Sequence, residues 1–308
     1  VDPWRAMIEV LDHLPGVSLD SGLSTKEAAI VWQIRVPRLV LAGLVGATLA
    51  GSGAAYQGVF RNPLADPYLL GVAAGAGLGA TIAIVSGLPS STIAPLAFAG
   101  AVLAVVAAYG LASLGGSRRS GATLILSGVA VAAFFTALQT YLQQQHADTI
   151  RQVFSWILGR LGTTGWGDVR TLIPYAVVSW LVLFVHRRHL DVMAVGEEEA
   201  STLGIDPARV RLIVVAGATL GAAAAVAVSG LIAFVGIIVP HIVRMATGPS
   251  HRVLLPVSLA GGAAFLMVAD LVARTVQSGG ELPIGVVTAF VGAPFFAFIL
   301  ATRREVGA

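Results

Sequence analysis

From Leu212 to Pro240 not one residue carries a charge. A helix crosses the hydrocarbon core of a bilayer with about 20 apolar residues, so this stretch is too long for one upright crossing and too apolar to face water. It is either one long tilted helix or a hairpin turning at Ser229-Gly230. The charges around it decide: Arg209 and Arg211 precede it, Arg244 and Arg252 follow it, and basic loop residues gather on the cytoplasmic side. Placing all four together requires two crossings, 212–229 and 231–247, the second one short.

Comparable runs occupy 38–59, 68–88, 93–114, 122–143, 171–186, 253–273 and 283–302. Nine spans are therefore expected, in a chain of 308 residues with 56% hydrophobic and 11% charged side chains. That composition excludes an ordinary soluble domain and predicts an all-α, polytopic transmembrane helical bundle, residues 1–308 forming one membrane domain. The abundant glycine, 36 residues, suits helices packed through small faces. The net charge of +3 is spread over short basic loop clusters and marks topology, not nucleic-acid binding. Without cysteine there is no disulfide or thiolate chemistry.

Alternating the loops gives a cytoplasmic face with Arg61, Arg118-Arg119, Arg187-Arg188, Arg209, Arg211, Arg244, Arg252 and Arg303-Arg304. The opposite face holds the segment up to Arg38, the 144–170 connection, Arg274 and Glu281. Residue 1 then lies outside and residue 308 inside, and the start at Val1 suggests that a first span precedes it. "VDPWRAMIEVLDHLPG" has Trp4, Met7, Ile8 and Leu11 at helical spacing among charges and reads as a helix lying at the interface.

Individual residues narrow the chemistry. "RNPLADPYLLG" sets two prolines between two spans and forces a sharp turn. Gly71, Gly75 and Gly79 then make a smooth helix face. His241 has no second histidine or carboxylate at helical spacing, which favours a helix-end hydrogen bond over a metal. Asp270 stands four residues before Arg274, close enough for mutual neutralisation, and such a pairing argues against an ion-coupled secondary transporter, which uses unpaired intramembrane acids. There is no H-E-x-x-H, G-x-S-x-G or G-x-x-x-x-G-K-[ST]. No catalytic residue, metal site or cofactor is expected, and any ATP with its Mg belongs to another subunit.

Four collinear blocks are similar to the iron-siderophore, haem and vitamin B12 permeases of type II ATP-binding-cassette importers, the FecCD or BtuC-like family. They are "WQIRVPRLVLAGLVGATLAGSGAAYQGVFRNPLADPYLLGV", "VGEEEASTLGID", "GLIAFVGIIVPHIVRMATGPSHRVLLP" and "ELPIGVVTAFVGAPFFAFIL". The resemblance runs from about Val31 to Arg304, and members of that family have ten spans.

The resemblance implies a permease working as two copies of itself, with two cytoplasmic ATPase subunits and a periplasmic binding protein, in the bacterial inner membrane. It places a coupling helix at about 196–204, with Gly196, then Glu197, Glu198 and Glu199 in the first turn, Ala200 and Leu203 as the apolar patch for the ATPase, and Gly204 as the stop. It assigns Arg35, Arg38 and Arg274 to binding-protein docking; interfacial snorkelling is the plainer reading of these arginines. Asn62 and Leu64 match a cytoplasmic gate, and Gly121 and Ala122 stand where a second gate normally has small hydroxyl residues. Helix 122–143 is expected to line the pathway, with Gln139 and Gln143 in its outer half and His146 at its mouth. Arg160 is the candidate attractor of an acidic cargo. Haem or a ferric siderophore is the cargo expected first, cobalamin second.

Overall fold

The computed structural model of the protein describes residues 2–13, 16–114, 121–162, 165–277 and 280–304, with side chains described as far as Phe298 in the last segment. Among the described residues the regular structure is entirely helical.

The amino-terminal helix α1 (Pro3–Asp12) is capped by the Asp2 carboxylate, which accepts from Trp4 N–H. Its apolar residues Trp4, Met7 and Leu11 are exposed, as an interface-bound helix requires. The short α2 (Thr25–Ile30) opens on a capping box between Ser24 and Glu27. It runs through a π-helical turn, Val31–Arg35, into α3 (Val36–Val59). Pro37 has no N–H to give to the preceding turn, and the helix widens there, with Val36 N–H reaching Val31.

Next come α4 (Val72–Val85), α5 (Ile93–Leu114), α6 (Gly121–Gln145), α7 (Ile150–Ile157) and α8 (Trp166–Val195). After α8 lie α9 (Glu197–Thr202), α10 (Pro207–Ser229), α11 (Val235–Thr247), α12 (His251–Thr275) and α13 (Ile284–Arg304). All nine expected spans are helices, and among the described residues six are long and apolar enough to cross alone: Thr25–Val59, Ser90–Leu114, Gly121–Gln145, Trp166–Val195, Pro207–Ser229 and His251–Thr275. At 1.5 Å per residue, α4 with 14 residues and α11 with 13 fall short of the hydrocarbon thickness of about 30 Å. Prolines 63 and 67 and the left-handed Gly71 (φ 85°) consume the start of the 68–88 run. Left-handed Gly230 (φ 72°) and Phe234 (φ 70°) consume the start of 231–247.

That second break forms the turn of the expected hairpin. Ser229 O accepts from Arg160 N–H at 2.8 Å at one end of the bundle, and α11 then runs back along α3, Gly236 lying against Gly53 and Arg244 sharing a cleft with Arg61. Irregular backbone at this depth must be satisfied from within. Tyr68 Oη supplies part of this, donating to Ile232 O at 2.9 Å and accepting from Ile232 N–H at 3.3 Å.

Helix α3 is the axis of the bundle, buried along nearly its whole length and packed against α8, α10, α11 and α12. The contact with α12 rests on two facing glycines: a β-carbon on Gly46 would overlap the carbonyl of Gly262, and one on Gly262 would overlap that of Gly46. Gly75 and Gly79 of α4 bed in the same way on Gly100 and Leu96 of α5, so the smooth face read from the sequence serves helix packing.

Candidate functional site

Helix α3 carries Arg38 near one end and leads to Arg61 beyond the other, and the charges sort accordingly. At the first end the Arg38 guanidinium reaches Asp270 of α12, with Nη2 2.8 Å and Nε 3.0 Å from Oδ1 and Nε 3.2 Å from Oδ2. It also holds Glu281, in the connection to α13, through Nη1 at 2.9 Å and Nη2 at 2.9 Å. Arg274 Nε lies 3.2 Å from Asp270 Oδ2. The expected Asp270–Arg274 pair is therefore present, but as one arm of a four-residue network whose strongest arm, Arg38, comes from 232 residues away.

Of the three arginines expected to dock a partner, Arg35 is exposed and Arg274 partly so. Arg38 is spent inside the protomer, its side chain only 14% exposed and both faces of its fork occupied. Asp270, at 2% side-chain exposure, gives the buried guanidinium the countercharge it needs. Arg160 is exposed and lines the same small cleft of about 130 Å³.

At the opposite end the sequence acid-acid-acid folds as expected into a short helix, Glu197–Thr202. Its carboxylates sit in the first turn, favourable to the helix dipole. Gly204 (φ 80°) ends it in a Schellman closure: Ile205 N–H donates to Ala200 O at 3.0 Å and Gly204 N–H to Ser201 O at 3.0 Å. Glu198 and Glu199 are exposed, as is Leu203 at 68%. Gly196 is extended and buried.

Two details correct the sequence reading. Ala200 is fully buried and belongs to the root of the helix; the exposed apolar residues beside the acids are Leu203 and Val195, the latter 72% exposed. Glu197 also has an internal partner, the guanidinium of Arg211 on α10, itself only 2% exposed. A buried cation left without a countercharge is costly, and Glu197 supplies one to Arg211, so one of the three acids ties the short helix to α10 and two remain on offer.

The turn after α3 is closed by Asn62 N–H on Gln57 O at 3.1 Å and Arg61 N–H on Gly58 O at 3.3 Å, with Arg61 left-handed at φ 48°. The Asn62 side chain accepts from Leu64 N–H at 2.9 Å and the Asp66 carboxylate from Tyr68 N–H at 2.7 Å. Burial pushes the Asp66 carboxyl up to about 6 against the lowering effect of that hydrogen bond. Leu64 is exposed at the tip. Tyr68, anchored to Ile232, joins this turn to the break between α10 and α11.

The wall residues divide. Gln139 is only 9% exposed and its amide lies over Gly77 of α4; it packs inside the protomer and does not line an open pathway, a correction whose cause is the missing side chain at Gly77. Gln143 is half-buried and His146 ends α6 with Nδ1 3.0 Å from Leu142 O. The open face of α6 presents Phe134, Thr136, Thr140 and Tyr141. Gly121 and Ala122 start α6; Arg118-Arg119 lie outside the described residues. Among the described residues no three His, Cys, Asp or Glu side chains converge as metal ligands. His241 is buried edge-on to Phe295, ring centroids 6.2 Å apart.

Residues 4–302 match the FecCD transport family. The chain belongs to that family. It is 44% identical over 305 residues to the cobalamin import system permease protein BtuC of Halobacterium salinarum, covering 98% of this chain and 80% of the relative. It is 36% identical over 287 residues to the hemin transport system permease protein HmuU of Yersinia pestis, covering 89% and 84%. A solved structure described as an inward-facing conformation of a metal-chelate type ABC transporter superposes with a TM-score of 0.85 at 30% identity, covering 97% of this chain and 96% of that one. The FecCD chain described here is thus a multi-pass permease subunit of a type II importer, and is not catalytic by itself. Family membership brings with it an ATPase and a binding-protein partner.

Proposed function

We propose that two copies of this permease enclose a pathway for a large organic metal chelate across the cytoplasmic membrane, worked by alternating access. ATP and Mg are held by the partner ATPases and no cofactor by this subunit. The observation that carries the reading is the separation of two charged ends along α3: the Arg38–Asp270–Glu281–Arg274 network, with Arg160 in the same cleft and Arg35 exposed, at one, and the acidic helix Glu197–Thr202 at the other. The first faces the binding protein and the second the ATPase.

The end bearing Arg61, Arg187-Arg188, Arg209, Arg244 and Arg252 is the inner one, on the excess of basic residues. ATP-driven closure of the motor subunits pushes on Leu203 and Val195, and Glu197–Arg211 passes the push to α10. The turn at Asn62–Leu64 closes the exit where two copies meet. Gln143 and the exposed face of α6 form wall, and exposed Arg160 draws in acidic groups of the cargo.

For cargo, cobalamin now precedes the iron complex expected first. The relative named for cobalamin import is 44% identical, and the relative named for hemin 36%. Vesicles containing the permease, its ATPase and its binding protein should accumulate radiolabelled cobalamin, and excess haemin or ferric citrate should not compete. Accumulation of either iron complex with cobalamin left outside returns the cargo to iron.

Two double variants test the ends. Arg35→Glu with Arg274→Glu is expected to weaken binding-protein affinity about tenfold or more at low salt and less at high salt, because exposed charges steer and register a partner. Surface plasmon resonance on the reconstituted complex reads this, and an unchanged affinity removes the outer assignment. Glu198→Lys with Glu199→Lys should leave the fold intact and raise the ATP hydrolysed per cargo moved; normal stoichiometry places the ATPase contact elsewhere.

A further inference from the structure

At the inner end, beside the Asn62–Leu64 turn, lies a cleft of about 540 Å³. Arg61, Arg244, His241 and His251 contribute to its walls, together with Met245 and Phe298. The histidines are buried, 7% and 3% exposed, while Met245 and Phe298 are 65% and 67% exposed. A cationic, hydrogen-bonding interior therefore opens through an apolar mouth.

The charges of Arg61 and Arg244 are not neutralised by any described residue of the cleft. No acidic residue lines the cleft among the described residues. Asp191, the nearest carboxylate to His251, is already committed: it accepts His251 N–H at 2.6 Å, faces His251 Nδ1 at 2.8 Å and accepts Ser250 Oγ at 3.1 Å. The guanidinium groups of Arg61 and half-buried Arg244 have no carboxylate within 4.0 Å and no hydrogen bond among the described residues. Elsewhere in this chain the buried Arg211 and the half-buried Arg38 and Arg274 each have an acid on them.

A second observation concerns Arg61. It closes α3 in the left-handed conformation, where glycine is free and any other residue costs roughly 1–2 kcal/mol. Strain of that kind is held where a side chain is needed.

We infer that this cleft holds the phosphate of an acidic phospholipid, Arg244 and Arg61 gripping the phosphate and an acyl chain leaving over Met245 and Phe298. Guanidinium matches phosphate geometry better than any other side chain, and basic pockets between helices on the cytoplasmic side are suited to anionic headgroups. Ala194, two residues before Gly196, also lines the cleft, so a bound lipid would brace α3, α8 and α11 beside the acidic helix. The inference does not depend on which cargo is carried.

The test follows thermal unfolding of the full chain in detergent during titration with short-chain phosphatidylglycerol, phosphatidylcholine of the same chains, or inorganic phosphate. Phosphatidylglycerol alone should raise the midpoint saturably, and Arg244→Gln should weaken its apparent Kd about tenfold, the loss of one charge-assisted bond. Arg61→Gln, at an exposed residue, gives the same reading if Arg244→Gln does not fold. Equal shifts with phosphatidylcholine, or with phosphatidylglycerol in both variants, overturn the site. An equal shift with inorganic phosphate overturns the lipid in favour of a free anion. No lipid effect, with Arg244 protected only when the ATPase subunit is added, assigns the cleft to a protein contact instead.

Discussion

Replacing Asp270 with leucine is expected to lower the stability of the permease by about 3–5 kcal/mol. The substitution leaves the Arg38 guanidinium, 14% exposed, without its buried countercharge, and removes the group that separates it from Arg274. Glu281 remains but is 53% exposed, and a solvated carboxylate gives a weaker return than a buried one. The penalty arises from an orphaned charge and not from lost attraction, so removing both partners should hurt less. Asp270→Leu combined with Arg38→Met is expected to recover most of the loss. Thermal unfolding of the four proteins of this cycle in detergent measures it; additive losses in the double variant would mean that the two side chains do not act as a pair.

Gly46→Leu is expected to abolish folded protein, and Gly262→Leu to do the same. A β-carbon at either position overlaps the opposing backbone carbonyl, and a backbone cannot move aside as a side-chain tip can. Separating α3 from α12 also pulls Arg38 away from Asp270 in the same interface. A cost of about 3 kcal/mol or more is anticipated, against an almost silent Gly110→Ala, where no atom lies within 4 Å of the new methyl. Size-exclusion profiles of detergent extracts distinguish the two; a monodisperse Gly46→Leu protein would contradict the close packing.

The bundle was legible because lipid imposes a simple rule on sequence: uncharged runs become helices. All nine runs obey it, and the break at Gly230 could be placed from the arginines on either side. The lengths were less legible, since 68–88 and 231–247 look long enough to span until the turn residues Gly71 and Phe234 are seen in left-handed backbone. At the sites, local signals survived and distant ones did not. The acidic helix and its Gly204 stop lie within ten residues and read directly.

Arg38 with Asp270, Glu197 with Arg211 and Asp191 with His251 join segments 232, 14 and 60 residues apart, beyond any helical period. A coarser signal was available. In a chain with so few charges each one set in an apolar segment needs a partner, and pairing Arg38 with Asp270 follows once both are placed at the same end. Ala200 and Gln139 misled for another reason: a short helix or a glycine opposite decides which way a side chain points, and neither is visible along one strand of sequence.

This subunit is a conduit driven from outside itself, by nucleotide hydrolysis in a partner. Proteoliposomes containing the permease, its binding protein and its ATPase measure this directly. Labelled cargo should accumulate with ATP, stop when the Walker lysine of the ATPase is replaced, and be indifferent to ionophores that collapse ion gradients. Accumulation driven by an imposed proton or sodium gradient in vesicles without the ATPase would contradict the account.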